Sequence, residues 1–300
     1  MSKLLHKLQV NLLWVLSKFV GILPAFIQNL LSDFLCFVFH RIVRYRLKVV
    51  RKNLANSFPE RSLKELRNIE KRFYSHLADV ILETFIIPSF SEEEMKRRMV
   101  YTGKDEFEKA IDGKVAIAAV AHYGSWEYTI GYSLISSHIT YGVYHPLKNR
   151  VMDEYYQRCR SRFKCVPLPM AHVAKQMIID NRDKKCSVFA LIADQTPPRG
   201  IIKNRFMFLN QPTAFFFGIE RLALQYKLPV FFVDVKKVKR GYYTTEFIEI
   251  YDGVESVKEN VITKRYVANL ERMILRDPAL WMWSHKRWKH APLSNEKIVE

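Results

Sequence analysis

The run KVAIAAVA, at residues 114–121, is the sequence feature that most constrains the fold. A short, unbroken apolar run has the form of a β-strand that is buried on both faces. Such a strand needs helices on both sides of its sheet, which predicts an α/β fold with a largely parallel sheet. The 300 residues, of which 49% are hydrophobic, can supply the core of one large domain, or of one domain with a terminal appendage.

Strand-like and helix-like patterns alternate along the rest of the chain. Further strands are predicted at 139–146, 187–194, 229–238 and 244–252. Helices are predicted at 62–85, from Ser91 onward, and at 126–136, 153–162, 173–179, 214–225 and 261–276. This alternation predicts a mixed, largely parallel central sheet flanked by helices, in which the last two strands can form a hairpin.

Residues 8–42 form an apolar segment in which only two charged residues, Lys18 and Asp33, precede position 40. No small-residue cleavage site is evident, so we do not expect a secretory signal. A spanning helix needs roughly 20 uninterrupted apolar residues, and Pro24 and the two charges interrupt this segment. We predict an N-terminal membrane anchor of two apolar helices, hinged near Pro24, that insert into or lie in one leaflet. A single span is the alternative.

A basic cluster follows directly in the stretch HRIVRYRLKVVRK, at residues 40–52, which has six arginines and lysines and no acidic residue. Adjacent apolar and basic segments are typical of attachment to anionic membrane lipid, to which each charge contributes about 1 kcal/mol. The alternative is a solvated basic helix face. We assign residues 1–45 to membrane-associating helices and residues 46–300 to the α/β domain.

The net charge of +18 also fits an acidic protein, a phosphorylated substrate or nucleic acid. A nucleic-acid binder would concentrate basic and aromatic residues on one helix or sheet face. Here the basic cluster adjoins an apolar segment instead, and no DNA- or RNA-binding motif occurs in the sequence. We therefore expect no nucleic-acid partner.

The cysteines and histidines do not indicate a metal site. The four cysteines form no C-x-x-C pair and no zinc-binding spacing, so a reducing, cytosol-facing environment is expected. Cys159 and Cys165 could pair, although buried or free thiols are the simpler interpretation. His122, His138 and His145 lack the spacing of helical metal ligands, and no H-E-x-x-H motif occurs.

The nonapeptide VAHYGSWEY, at residues 120–128, follows the first predicted strand. If a helix begins near Ser125, then His122 leaves the strand, Gly124 makes the turn and Ser125 caps the helix. Glu127 would lie in the first helical turn, where the helix dipole favours its ionised form. A carboxylate directed at one imidazole nitrogen leaves the other free to accept a proton, as a general base requires.

Two further observations bear on this stretch. A serine nucleophile needs the turn G-x-S-x-G, but the sequence around Ser125 is Y-G-S-W-E, which favours the capping role. The carboxyl ends of parallel strands meet at one edge of a sheet, where ligands bind. Residues 145–150, and Asp194 with Gln195, lie at the carboxyl ends of two other predicted strands, so we expect them near His122.

The stretch AHYGSWE resembles the H-x4-D/E block of the glycerolipid-type acyltransferases. It is more similar to the HFGNWE block of the late acyltransferases of lipid A (endotoxin) biosynthesis. Four more blocks resemble that family in the same order: RLKVVRKNLANSFPE (46–60), VYHPLKNRVMDEYYQRCRSRF (143–163), IADQTPP (192–198) and PALWMWSHKRWKH (278–290). The five blocks together extend from about residue 46 to residue 289. Five blocks in the family's order are a more specific resemblance than any one block alone.

The resemblance implies a glycerolipid acyltransferase-like fold and transfer of a fatty acyl group. The donor would be a thioester of acyl carrier protein or CoA, the acceptor a hydroxyl of a lipid A precursor, and no resident cofactor is expected. The enzyme would lie at the bacterial inner membrane with its catalytic domain on the cytoplasmic side. His122 would be the general base and Glu127 its orienting carboxylate, while Arg160 and Asp194 match a required arginine and aspartate. A structural ion pair is the alternative role for Arg160.

The resemblance and the charges also define predicted substrate contacts. Phosphates on a lipid A precursor suit the arginines and lysines of the blocks at 143–163 and 278–290. An acidic carrier protein suits the overall positive charge of the chain. The predicted substrate-binding residues are Ser125, Trp126, His145, Arg150, Arg158, Arg162, Gln195, Arg287 and Lys289. The C-terminal stretch 281–290 has a second interpretation, a packed and partly solvated terminal element.

Three positions depart from the family pattern. His145 stands where the family usually has arginine, which weakens phosphate binding there at neutral pH. Arg150 stands where proline is common. Asn210 ends the stretch FMFLN, at residues 206–210, where the family often has a glycine. This change is mild because asparagine tolerates a positive φ. Another membrane lipid, an aminolipid or a glycolipid, is therefore the alternative acceptor. An inactive acyltransferase fold used as a scaffold is disfavoured by the intact His122 and Glu127.

Overall fold

A computed structural model describes residues 3–202, 204–293 and 296–299 of the chain. Its central sheet has seven strands in the order β1-β9-β8-β2-β5-β3-β4. Their bounds are β1 Met99–Thr102, β2 Val115–Val120, β3 Ile139–Tyr144, β4 Val166–Pro169, β5 Ser187–Ile192, β8 Val230–Lys239 and β9 Tyr242–Tyr251. All strand pairs are parallel except β8 with β9, which form an antiparallel hairpin. The predicted α/β fold with a largely parallel sheet is confirmed.

The strand β2 lies at the centre of this sheet, and all six of its residues are buried. Neighbouring residues of a strand point to opposite faces, and the two faces are covered by different helices. On the adjacent strand β8, the Phe231 ring packs against Phe107 and the Phe232 ring against Tyr266, with centroids 4.7 and 5.6 Å apart. The uniform apolar pattern of 114–121 therefore reflects helices on both sides of the sheet.

The helices of the α/β domain agree with most of the predicted segments. They are α3 Leu47–Ser57, α4 Leu63–Ile86, α5 Glu92–Arg98, α6 Lys104–Ala110, α7 Arg150–Ser161, α8 Val173–Arg182, α9 Gly218–Tyr226 and α10 Val261–Arg276. Ser62 and Glu65 form a capping box at the start of α4, and Ser91 caps α5 as predicted. Asn149 caps α7 by accepting from the backbone of Val151 and Met152, so α7 begins three residues before the predicted start.

The segment predicted as a helix at 126–136 is a 3₁₀ helix, Trp126–Leu134, and not an α-helix. Thr129 and Gly131 are weak α-helix formers. A Cβ at Gly131 would lie 2.8 Å from the Met95 side chain, so the segment is also packed tightly on α5. Local composition and packing both favour the tighter helix.

A second, three-stranded sheet was not predicted. It has the order β10-β6-β7, with β6 Asn204–Phe208, β7 Gln211–Thr213 and β10 Lys297–Val299. Leu209 and Asn210 join β6 to β7 with φ of 49° and 59°, the two positive values that a two-residue hairpin turn requires. The tolerance of asparagine for positive φ is therefore used at Asn210. Strands this short give little periodic signal, which is why the sequence pattern missed them.

Two N-terminal helices, α1 Lys3–Ile22 and α2 Ala25–Phe37, precede the domain, and a π-helical turn, Val38–Ile42, continues α2. Pro24 is the residue before α2, so the predicted hinge is confirmed. In the described residues, neither helix alone has the length and apolar character to cross a membrane, whereas the pair, bent by 118°, meets those criteria together. The helix α1 packs on α7 and α4, and α2 packs on α4.

Candidate active site

The pairing of β2 with β5 brings two of the predicted site residues together. Val120 of β2 is in register with Ile192 of β5, and His122 and Asp194 each lie two residues further along. His122 Nδ1 donates to Asp194 Oδ1 at 2.7 Å, and the His122 backbone N–H donates to Asp194 Oδ2 at 3.0 Å. Equal offsets from two paired strand ends thus place the imidazole and the carboxylate in contact.

The C-terminal segment completes the environment of the Asp194 carboxylate. The Trp281 indole Nε1 donates to Asp194 Oδ2 at 2.9 Å. Trp281 is held there by an antiparallel bridge with Tyr123 and by the Met282 backbone N–H, which donates to the His122 carbonyl at 3.2 Å. Trp281 was not predicted as a site residue. The tryptophan-rich C-terminal block was the only signal that could have found it.

The contact between His122 and Asp194 changes the pKa of both groups. Burial alone lowers the pKa of His122, but the charge and hydrogen bond of Asp194, with a smaller effect of Glu127, raise it above 6.5 overall. Burial raises the pKa of Asp194, but the His122 ring and the Trp281 hydrogen bond lower it below 3.8 overall. Asp194 is therefore ionised at neutral pH and can only accept, so the proton of neutral His122 is on Nδ1.

The other imidazole nitrogen is directed at an exposed side chain. The Gln195 amide nitrogen donates to His122 Nε2 at 3.2 Å. The His122 ring also packs edge-on against Trp126, with centroids 5.2 Å apart. His122 Nε2 therefore carries the lone pair that accepts a hydrogen bond. A substrate hydroxyl could donate to it in place of the Gln195 amide.

Gly124 allows the chain to turn directly after His122. Its φ is +60°, in the left-handed region that glycine adopts without strain. A Cβ at this position would lie 2.9 Å from Val235 Cγ1, so the site also lacks space for a side chain. The predicted turn at Gly124 is confirmed, and both conformation and packing require glycine.

The structure corrects the predicted partner of Glu127. The Glu127 carboxylate does not orient His122 but accepts two hydrogen bonds from Arg160, at 2.7 Å from Nη2 and 3.1 Å from Nε. Both side chains are mostly buried, with 14% and 16% exposed. The physical reason is geometric, because a planar guanidinium matches both carboxylate oxygens at once. The predicted alternative for Arg160, an ion pair, is confirmed as its contact in this structure.

Arg160 is held by aromatic rings as well as by Glu127. Its guanidinium carbon lies 5.2 Å from the Tyr144 ring centroid and 5.7 Å from that of Tyr156. All four side chains line the cavity that contains His122. The ion pair therefore belongs to the wall of the candidate active site and places a fixed positive charge there.

The cavity at His122 has a volume of about 530 Å³. One wall is apolar and consists of Leu77, Val80 and Ile81 of α4, a helix to which no site residue was assigned. The predicted residues on its lining are His122, Trp126, Glu127, His145, Arg160 and Gln195. A cavity lined by both a polar pair and aliphatic side chains fits a substrate with a reactive head and an apolar chain.

Ser125 is not available to a substrate. Its side chain is fully buried, and it makes no cap hydrogen bond to the 3₁₀ helix that follows. Both the predicted capping bond and the predicted substrate contact are therefore wrong. The backbone of Ser125, with φ of −94° and ψ of 74°, does not have the extended conformation of the capping residues Ser62 and Ser91.

Three predicted substrate-binding arginines have structural contacts instead. Arg158 donates to Asn11 Oδ1 at 3.1 Å, and its guanidinium carbon lies 4.0 Å from the Trp14 ring centroid. Arg158 therefore connects α7 with α1. Arg162 donates to the Phe90 carbonyl oxygen. Arg287 is buried, donates to the Ala214 carbonyl oxygen and covers the Phe215 ring. Burial lowers the pKa of Arg287 to about 10.

Arg150 and Lys289 remain predicted phosphate contacts. Both side chains are exposed, and neither is among the described residues that line the cavity. Among the described parts of the chain, no group of three His, Cys, Asp or Glu side chains is arranged to hold a metal ion.

The pH dependence of activity tests the contact between His122 and Asp194. If neutral His122 is the active form, kcat/KM rises with pH and its acid limb has an apparent pKa above 6.5, as the raised pKa of His122 requires. Asp194→Asn removes the charge that raises this pKa, so burial dominates and the limb moves to lower pH. A pH–rate profile of both proteins measures this. An unchanged limb in the variant would exclude His122 as the titrating group.

The fold and the site define the class: an α/β protein with a histidine–aspartate pair at the carboxyl edge of a parallel sheet, open to a partly apolar cavity. The particular family follows from comparison with known proteins. Over residues 2–290 the chain matches the bacterial lipid A biosynthesis acyltransferases, and it belongs to this family. It is thus an acyltransferase of lipid A biosynthesis. Comparison with curated proteins gave no significant match.

Proposed function

We propose that this enzyme transfers a fatty acyl group from a thioester of acyl carrier protein, or of CoA, to a hydroxyl of a lipid A precursor, with His122 as the general base. The observation that carries the proposal is the 2.7 Å hydrogen bond from His122 Nδ1 to the buried Asp194 carboxylate. It leaves Nε2 as a proton acceptor at the cavity and lets Asp194 stabilise the imidazolium that forms. The thioester is a co-substrate, and no resident cofactor takes part.

The proposed reaction has two steps. The acceptor hydroxyl displaces the Gln195 amide from His122 Nε2 and donates to it. Its oxygen forms a bond to the thioester carbonyl carbon while its proton moves to Nε2. The tetrahedral intermediate then breaks its carbon–sulfur bond, and the leaving thiolate takes the proton from Nε2 to depart as a thiol. No covalent acyl-enzyme is required.

Arg160 supports the first of these steps. Attack on the carbonyl creates an oxyanion, and a fixed cation or a hydrogen-bond donor close to it lowers the barrier by several kcal/mol, about 3 to 4 for a single donor. The Arg160 guanidinium keeps donors beyond the two that Glu127 occupies, and it lines the same cavity as His122. We therefore assign oxyanion stabilisation to Arg160 and the positioning of Arg160 to Glu127.

The N-terminal helices support a location at the inner membrane, with the domain on its cytoplasmic side. Exposed apolar side chains recur every three or four residues, which places them on one face of each helix. They are Leu4, Leu8, Leu12, Val15, Phe19 and Ile22 on α1 and Phe26, Leu30, Phe34 and Phe37 on α2. A continuous apolar face beside the basic residues of 40–52 fits an anionic lipid surface.

A charge placed on this face tests the membrane location. Leu12→Glu with Phe19→Glu should release most of the enzyme from sedimented vesicles that contain anionic phospholipid, because burying a carboxylate in an acyl layer is costly. The two side chains are 65% and 58% exposed, so the substitutions leave the protein core intact. Leu275→Glu on α10, where the leucine is 49% exposed, is the matched control and should still sediment. Equal sedimentation of the wild type, the double variant and Leu275→Glu would refute this location.

Mass spectrometry of lipid extracts tests the acceptor. A strain that lacks the gene should contain lipid A with one acyl chain fewer, and wild-type protein should restore the chain. An unchanged lipid A together with an altered aminolipid or glycolipid would replace the proposed acceptor, which the histidine at position 145 leaves open. A reconstituted reaction with acyl carrier protein and CoA thioesters then identifies the donor.

A further inference from the structure

A second cavity lies next to the catalytic cavity and has a volume of about 830 Å³. It is formed by the short 3₁₀ helix Arg199–Ile201, the loop at 214–217 and the helix α9. Phe216 lines both this cavity and the catalytic cavity. One aromatic side chain therefore contributes to the walls of two spaces, and neither the sequence blocks nor the proposed chemistry gives the second one a role.

The lining of the second cavity includes both apolar and polar side chains. Its apolar side chains are Ile201, Phe215, Phe216, Phe217 and Leu224. Arg221 and Glu259 are exposed. The buried Glu220 is already satisfied, because its carboxylate accepts from the Thr263 backbone N–H at 2.9 Å and from the Asn260 backbone N–H at 2.5 Å. No unpaired charge at Glu220 opposes an apolar ligand.

We propose that the second cavity binds an alkyl chain already carried by the acceptor lipid, and that Phe216 separates this chain from the reacting acyl group. This inference rests on the proposed function, because it needs a lipid acceptor and a separate acyl donor. The ligand class is an unbranched alkyl chain of a membrane lipid. The shared Phe216 places the cavity directly beside the site where the acceptor hydroxyl must lie.

The position of the cavity favours the acceptor chain over the donor chain. The donor chain is bonded to the carbonyl carbon that the acceptor hydroxyl attacks, so it begins in the cavity that contains His122. The aliphatic side chains of Leu77, Val80 and Ile81 line that same cavity. The donor chain thus has an apolar surface that it reaches without crossing Phe216. The chains of an acceptor lipid are attached at some distance from its reacting hydroxyl, so they need a separate apolar site.

Gly218 offers a way to fill the second cavity without disturbing the fold. A Cβ at Gly218 would meet no atom within 4 Å, and its φ is outside the left-handed region. Gly218 is the first residue of α9 and lines the cavity, so a larger side chain would enter open space there. Gly218→Phe fills the space, and Gly218→Ala is the matched control because it adds only the Cβ.

The test compares two acceptors with the same donor thioester. With a long-chain acceptor lipid, Gly218→Phe should lower kcat/KM by about tenfold, mainly through KM, because the part of the chain that is excluded from the cavity stays in water. With a water-soluble acceptor that has the same hydroxyl and no long chain, Gly218→Phe and wild type should differ less than twofold. Gly218→Ala should match wild type with both acceptors.

Three outcomes would overturn the proposal. One is an equal loss with both acceptors, and a second is no loss with either. The third is a changed preference among donor chain lengths at a fixed acceptor, which would assign the cavity to the donor chain. Leu224→Trp repeats the test at a second lining residue on α9, and Leu275→Trp on α10 is its control outside the described lining. Thermal unfolding checks that each variant is folded. If wild type transfers no acyl group to either acceptor, the proposed function fails, and that result is distinct from the three above.

Discussion

The variant His122→Ala is expected to lose kcat by about 10²- to 10⁴-fold, the usual contribution of a positioned general base. The loss follows from the contact with Asp194, which keeps the proton on Nδ1 and leaves Nε2 to accept from the acceptor hydroxyl. Alanine has no group that can replace either nitrogen. The expected KM is close to that of wild type, since the wall of α4 and the pair of Arg160 with Glu127 remain in place.

Single-turnover transfer of a radiolabelled acyl chain to the acceptor lipid measures this loss directly. His172→Ala is the matched control, because His172 is an exposed histidine outside the described lining of the catalytic cavity. It should retain wild-type turnover. Turnover by His122→Ala within threefold of wild type would eliminate the general-base role, and it would direct attention to the other polar groups of the cavity wall.

Arg160→Ala is expected to have the largest effect on stability. Removing one partner of a buried ion pair leaves the other charge unpaired, which typically costs about 3–5 kcal/mol of unfolding free energy. Glu127 is the charge that remains, with 14% of its side chain exposed. Denaturant unfolding measures the effect. Arg182→Ala is the control, since the pair of Arg182 with Asp183 is exposed and its loss should leave the unfolding midpoint nearly unchanged.

The same variant should also change catalysis in a direction that a purely structural role would not. With Arg160 gone, the unpaired charge of Glu127 acts on His122, whose pKa it already raises, so the acid limb of kcat/KM moves to higher pH. Glu127→Gln should move the limb the opposite way. The double variant Arg160→Ala with Glu127→Gln should recover much of the lost stability, because no buried charge is then unpaired. Loss of stability with an unchanged limb and a wild-type kcat would make Arg160 a structural residue only.

Asp194 makes the contact with His122 that was predicted for Glu127, and Glu127 contacts Arg160 instead. Asp194 orients and polarises His122, while Glu127 fixes the guanidinium that faces the reacting carbonyl in the proposed mechanism. This division makes their variants distinguishable, since Asp194→Asn moves the acid limb through direct contact and Glu127→Gln moves it through charge alone.

Much of the fold follows from local patterns. The central strands, the hairpin of β8 with β9, the hinge at Pro24 and most helices of the domain were predictable because each has a local signal: an apolar run, a helical period, a capping residue or a proline. The edge strands β1 and β4 and the small sheet of β6, β7 and β10 were not, because strands of three to five residues have no clear period. The 3₁₀ helix after Gly124 was missed because its geometry depends on packing against α5.

The sequence alone determined the type of fold, the edge of the sheet at which the site lies, and the residue types available there. It also placed His122, Gly124 and Asp194 directly after their strands. Only the tertiary structure decided which carboxylate contacts His122. Glu127 is five residues away and pairs with Arg160, whereas Asp194 is 72 residues away and lies 2.7 Å from the ring. The physical reason is the register of β2 with β5: a hydrogen bond needs atoms about 3 Å apart, and strand pairing sets that distance regardless of separation along the chain.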